Sequence, residues 1–262
     1  MALKVAVSGK GGVGKTTLTG LLARLFGREG DSVLVLDADP ASNLASAVGV
    51  SRETSSHLTP LSSMLDMIEE RTGVKPGESY GGMFKLNPKV DDLADRFAVE
   101  GKDNVRLLVL GTIRSGGSGC FCPESSLLKS LLKHLVLEKD EFLFMDMEAG
   151  LEHLGRASSR NMDLMIVVVE PGMRSLETAA KIRDMAAEIG IDRVGAVLNK
   201  ASPGDQEVVS EELDRLGMEL LATIPYNRKL VEADLKGVSP MDIDGADDVI
   251  EAIAGIKERI VE

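Results

Sequence analysis

The sequence predicts an α/β fold, a doubly wound and mostly parallel sheet flanked by helices. Three observations carry that expectation. Short apolar runs alternate with helical patterns along nearly the whole chain, which is the signature of βα units. Most of these runs are continuous Val, Leu and Ile, as in parallel strands buried on both faces. The chain has 262 residues and is 44% hydrophobic, enough for a large core, yet aromatics make up only 3% and Trp is absent. The core is therefore built from Val, Leu, Ile, Ala and Met.

In chain order, Lys4–Val7 is the first expected strand, running into a glycine loop. Leu18, Leu21, Leu22 and Leu25 then follow the i, i+3, i+4, i+7 rule of an amphipathic helix. Further strands are expected at Val33–Asp37, Val105–Leu110, Phe142–Asp146, Leu164–Val169, Val194–Leu198 and Leu220–Ile224. A second leucine-faced helix carries Leu128, Leu131, Leu132 and Leu135 from about Pro123, a favoured first-turn residue. The stretch from about 50 to 104 interrupts the rhythm with the polar run Ser51–Ser56 and the Gly-rich piece Gly77–Gly82. It is expected to carry a helix around Leu61–Arg71 and a strand near Met83–Leu86. No repeat or low-complexity linker is visible, so residues 1–262 read as one domain with an elaboration at about 50–104. In such a sheet, ligands bind at the carboxyl ends of the strands.

The formal net charge is -12 and the pI near 4.9. That disfavours a nucleic-acid partner, because phosphate-backbone binding is driven by clustered Lys and Arg. The N-terminus lacks the long apolar core of a signal peptide, and no run approaches the ~18 residues of a membrane helix. Two cysteines make no disulfide scaffold. A soluble, cytoplasmic protein without a membrane or nucleic-acid partner is expected.

Gly9-Lys10-Gly11-Gly12-Val13-Gly14-Lys15-Thr16 satisfies G-x-x-x-x-G-K-[ST], the Walker A or P-loop pattern, between a strand and a helix. Such a loop curls backbone N–H groups around phosphate oxygens at the positive end of a helix. Lys15 would then sit on the β- and γ-phosphates and the Thr16 hydroxyl on Mg²⁺. The same residues also satisfy G-x-G-x-x-G, and Asp37 lies where a dinucleotide-binding fold keeps its ribose acid. Three features favour a Mg-triphosphate. Lys15-Thr16-Thr17 offers a cation and hydroxyls, a second acid follows at Asp39, and Asp146 ends another strand with a hard oxygen ligand. Asp37 and Asp39 share one side of the sheet, and Pro40 biases Asp39 toward an extended backbone. Asp39 could otherwise simply cap the residues after it. Glu148 is a weaker candidate base, read as a solvated or interface carboxylate.

Lys10, near the start of the loop, is not needed to cradle phosphates within one subunit. With it, Lys10–Thr17 resembles the deviant Walker A of the ATPase class that includes MinD, the nitrogenase iron protein and the tail-anchored-protein targeting ATPases. Asp37-Ala38-Asp39-Pro40 resembles that class's switch I, and Asp146-Met147-Glu148-Ala149-Gly150 its switch II. The resemblance implies ATP and ADP as ligands, Lys10 reaching the partner's nucleotide across a dimer, and Asp39 orienting the attacking water. It also implies Asn199, Lys200, Ile224, Pro225 and Tyr226 near adenine.

Both cysteines stand in Gly119-Cys120-Phe121-Cys122-Pro123. Cys122 at a helix start favours thiolate, and in extended backbone both sulfurs face one side. A soft ion wants four thiolates, which a two-fold dimer would assemble from Cys120 and Cys122 of each copy. Buried structural cysteines, a strained C-x-C disulfide and a redox switch remain alternatives. A C-x-C upstream of a switch II strand, with Met145–Leu154 and Leu86–Asp91, resembles the CooC-type accessory ATPases of nickel-containing carbon monoxide dehydrogenase. Residues 51–80 match least. This resemblance implies a homodimer whose shared cysteines bind Ni²⁺ or Zn²⁺ and which helps load nickel into the dehydrogenase. The competing functions are a MinD- or ParA-like positioning ATPase and an iron–sulfur carrier ATPase. The former is disfavoured by a tail whose polar face is acid-rich, with Glu251, Glu258 and Glu262. His57, His134 and His153 are too scattered to form a nickel store.

Overall fold

The computed structural model describes residues 2–39, 43–75, 85–111, 123–134, 141–149 and 162–261. Among them an eight-stranded sheet runs in the order β3-β4-β2-β5-β1-β6-β7-β8. Its strands are β1 (Leu3–Gly9), β2 (Ser32–Asp37), β3 (Val99–Glu100), β4 (Val105–Val109), β5 (Glu141–Asp146), β6 (Leu164–Val169), β7 (Val194–Ala201) and β8 (Glu219–Pro225). Every described pairing is parallel except the short β3–β4 edge. All seven expected strands form, within a few residues of their expected ends. The edge strand β3 was not expected, since two residues carry no periodicity.

Side-chain alternation sends successive residues of each strand to opposite cores. Val5, Val7, Val33, Val35, Ile166 and Val168 join one cluster; Ala6, Leu34, Leu36, Met165 and Val167 join the other. The first face is covered by α1 (Lys15–Arg28), through buried Leu18, Leu21 and Leu22, and partly by α2 (Leu44–Ala47). Gly20 permits this packing, because a Cβ there would lie 2.5 Å from the Ala47 Cβ. After the small α3 (Arg52–Ser56), the opposite face receives α4 (Leu65–Thr72), α5 (Leu93–Phe97), α6 (Pro123–His134), α7 (Met173–Ile189) and α8 (Asp205–Arg215). α9 (Arg228–Lys236) follows β8. The last helix, α10 (Asp247–Val261), returns to the α1 face with Val249, Ile253, Ile256 and Ile260 buried, so the apolar stripe of the tail is spent on the core.

Two expectations about the elaboration are corrected. The helix expected over Leu61–Arg71 is a short 3₁₀ turn, Leu61–Ser63, followed by α4, with the break at Met64 (ψ 72°). Lys85 and Leu86, expected in a strand, are not in one; Met83 and Phe84 lie outside the described residues. Their backbone is used differently: the Ser126 hydroxyl of α6 lies within hydrogen-bonding distance of the Lys85 and Leu86 carbonyls. Ile68 and Leu93 complete the anchoring by packing into the core. No helix among the described residues is long and apolar enough to cross a membrane.

Candidate nucleotide site

The carboxyl ends of β1, β2, β5, β7 and β8 converge on a cavity of about 600 Å³. Gly9, Gly11, Gly12, Gly14, Lys15, Thr16 and Thr17 line one end of it. Gly14 precedes α1 with φ 100°, and a Cβ there would stand 2.2 Å from Asn199 Nδ2, so only glycine fits. Val13 faces the other way, fully buried, and anchors the loop in the α1-side core. Thr17 opens the helix beside Thr16, at the positive end of the α1 dipole.

Three carboxylates gather at this end, and they are not equivalent. Asp37 and Asp146 are register partners at the ends of adjacent strands. Asp146 is fully buried, and the Thr16 hydroxyl donates to its Oδ2 at 2.6 Å. Asp39 lines the cavity, and its Oδ2 lies 3.5 Å from the Lys15 ammonium, Lys15 being buried and Asp39 partly buried. Asp37 is turned inward: its Oδ1 accepts the Asp39 N–H at 3.2 Å, and it is not among the cavity-lining residues. An acid held in this way is poorly placed to grip a ribose, which removes the main support for a dinucleotide site. Backbone bonds lock these strand ends together, with Ala38 N–H donating to Asp146 O and Met147 N–H to Val7 O. Glu148 is exposed at the cavity rim; its carbonyl accepts from Ser8. The oxygen donors Thr16 and Asp146 suit a hard ion such as Mg²⁺.

The rest of the lining is assembled from distant segments. Asn199, Lys200, Pro225, Tyr226, Leu230 and Val231 belong to it. Ile224, also expected near adenine, is instead buried in the core and outside the lining. Asn199 is buried and spoken for on both sides of its amide: Nδ2 donates to Val13 O at 2.7 Å, and Oδ1 accepts the Lys200 N–H at 2.9 Å. Lys10 is exposed, with its side chain outside the cavity lining. Pro40, Cys120, Cys122, Gly150 and His153 lie outside the described residues, as does Leu135. Among the described residues, no three His, Cys, Asp or Glu side chains gather as for a metal ion. His57 is at the surface, its ring nitrogen against Glu53 O.

The family model of the CobQ/CobB/MinD/ParA nucleotide-binding domain matches residues 4–241. The chain belongs to this family. It is 43% identical over 261 residues to the carbon monoxide dehydrogenase accessory protein CooC of Rhodospirillum rubrum, covering 98% of this chain and 97% of that protein. It is 45% identical over 243 residues to an ATP-binding protein of Methanocaldococcus jannaschii, covering 92% of each. The fold is shared with the septum site-determining protein MinD of Pyrococcus horikoshii complexed with Mg-ADP, at a TM-score of 0.69 and 20% identity, covering 99% of this chain and 96% of that one. With this family and this loop, the chain is a P-loop ATPase.

Sequence reasoning missed Arg24, Arg52 and Glu170. Arg24 is 1% exposed in the middle of α1; it donates bidentately to Asp242 at 2.9 and 3.0 Å and to Asp103 at 2.6 Å. It thereby ties the phosphate-loop helix to the 3₁₀ turn Pro240–Asp242, whose Pro240 lines the cavity. The one available signal was an arginine inside an otherwise apolar helical stripe. Arg52 donates to the Lys236 carbonyl at the end of α9. The only signal for Glu170 is its place as the lone acid closing an all-apolar strand.

Proposed function

We propose that the chain is a homodimeric, cytoplasmic ATPase that assists nickel insertion into carbon monoxide dehydrogenase. It forms one domain in which ATP hydrolysis and metal binding are linked. The observation that carries this reading is full-length similarity to a carbon monoxide dehydrogenase accessory protein, in a chain whose two cysteines form a C-x-C.

The site residues take the following roles. Backbone N–H groups of Gly11, Gly12, Val13, Gly14, Lys15, Thr16 and Thr17 cradle the phosphates, and Lys15 neutralises the β- and γ-oxygens. Thr16 and Asp146 would hold Mg²⁺, which would supply positive charge against that developing on the phosphates. Asp39, close to Lys15, orients the attacking water. Asn199, Pro225 and Tyr226 form the adenine end, with Lys200 beside them. Lys10, exposed beside the loop, reaches the partner's nucleotide. Cys120 and Cys122 of two protomers supply four thiolates to the cargo ion, Ni²⁺ or Zn²⁺. Both ligands favour the dimer, so each raises the apparent affinity for the other.

Light scattering on anaerobic protein titrated with Ni²⁺ or Zn²⁺ tests this reading. Wild type should dimerise at one ion per two chains, and Cys120→Ser/Cys122→Ser should stay monomeric. Identical behaviour of the two proteins would remove the metal reading and leave a positioning ATPase as the alternative. A brown, cluster-bearing anaerobic preparation would instead favour an iron–sulfur carrier.

A further inference from the structure

We infer that Lys200 is a positioning residue for the phosphate loop rather than a contact of the base, and that Glu170 holds it in place. The inference rests on the ATPase reading and concerns how the loop is shaped before nucleotide arrives. Residues next to each other on a regular strand point to opposite faces of the sheet. Asn199 and Lys200 do not: Asn199 Nδ2 donates to Val13 O at 2.7 Å, and Lys200 Nζ donates to the preceding carbonyl, Gly12 O, at 2.6 Å.

Two backbone features make this double grip feasible. The β7–β8 register shifts between Leu198, opposite Thr223, and Ala201, opposite Pro225, so one strand carries an extra residue at this point. Such a bulge re-aims side chains, and bulges concentrate beside active sites. Lys200 itself has φ 57°, a left-handed conformation that a lysine adopts only when its surroundings hold it there. They do so from two directions. Its N–H is held by Asn199 Oδ1 at 2.9 Å, and its ammonium by Glu170 Oε2 at 3.3 Å, at the end of the neighbouring strand β6.

In a trans peptide, the C=O and the following N–H point in opposite directions. Drawing the Gly12 and Val13 carbonyls toward β7 therefore turns the N–H groups of Val13 and Gly14 away from it, to the concave side of the loop. Those are two of the amides that a phosphate needs. Val13 N–H gives up a long bond to Lys10 O, at 3.4 Å. A part-exposed ion pair such as Lys200–Glu170 is worth little by itself, so Glu170 serves to aim the ammonium.

The test compares ATP with inosine triphosphate, which differs from it only in the base, as substrates of the full-length protein with Mg²⁺. Losing a hydrogen bond from a charged donor corresponds to about a tenfold loss in binding, so K200M should raise KM for both nucleotides by roughly that factor. The ATP-to-inosine-triphosphate ratio of kcat/KM should stay as in wild type. K200R should recover part of the loss, and E170Q should shift KM in the same direction by less. A K200M protein that changes the nucleotide ratio would overturn the inference in favour of a base contact. Unchanged KM values in both K200M and E170Q would overturn it outright; E170Q also serves as the test if K200M does not fold. Failure of wild type to hydrolyse ATP would instead sink the ATPase reading on which the inference stands.

Discussion

The two ends of the nucleotide cavity are built by different means. The phosphate end is almost wholly local: the end of one strand, one glycine loop and the first turn of α1 occupy nine consecutive residues, Gly9–Thr17, with Asp39 and Asp146 added from strand ends next door. The base end is a patchwork of β7, β8, α9 and the turn before α10. It is held by long-range polar ties: Arg24 to Asp242, Arg52 to the Lys236 carbonyl, and Asn227 to Gly245 O and Asp248. A substitution at the phosphate end should therefore remove chemistry and spare the fold, whereas one in the base-end ties should loosen the fold and weaken nucleotide binding while leaving the chemical step intact.

The sharpest break falls on Lys15. Lys15→Met removes the cation aimed at the transferring phosphoryl group, and kcat should fall by about 10²–10³, with a melting temperature near that of wild type. Asp39→Asn should lower kcat by about 10² through loss of water orientation, with little change in the affinity for ADP. A loss of affinity as large as the loss in kcat would show that Asp39 shapes the site rather than the reaction. Both are read from steady-state kinetics beside nucleotide titrations.

Arg24→Met probes the other end. It removes the central cation of the network and leaves Asp242 and Asp103, among the described residues, with Lys102 and Arg28 at 3.1 and 3.3 Å. Breaking such a network should cost about 3 kcal/mol in urea unfolding. KM for ATP should rise as the Pro240 turn loosens, while kcat stays within a small factor of wild type. The smallest effect is on pH dependence. Burial opposes the charge on Asp242, but hydrogen bonds from Arg24 and Lys102 outweigh it and hold the carboxyl below its ordinary value. The unfolded chain thus binds the proton first as pH falls. The stability from this group is present above the ordinary carboxylate pKa of about 4 and is lost as pH drops through the lower folded value. Arg24→Met should therefore flatten the acid limb of stability against pH, and an unchanged limb would show that Asp242 is held by Lys102 alone.

Much of the fold and of the phosphate end is legible in the sequence. Seven strands declare themselves because a parallel strand buried on both faces must be a continuous apolar run, and the phosphate loop because its chemistry needs contiguous glycines, a lysine and a threonine. The break in the Leu61–Arg71 helix is not legible, since Met64 departs from helical backbone with no glycine or proline to announce it. Nor is Arg24, whose partners stand 79 and 218 residues away.

Periodicity and local motif act over a few residues, so the α/β class, the phosphate loop and the acids at the strand ends can be read along the chain. Which acid does what depends on packing between distant segments. Asp37, Asp39 and Asp146 look alike along the chain, yet packing turns the first inward, sets the second against Lys15 and seals the third beneath Thr16. It also decided that Lys200 reaches the loop, since a bulge and a left-handed turn in β7 redirect a side chain that strand alternation would have sent away.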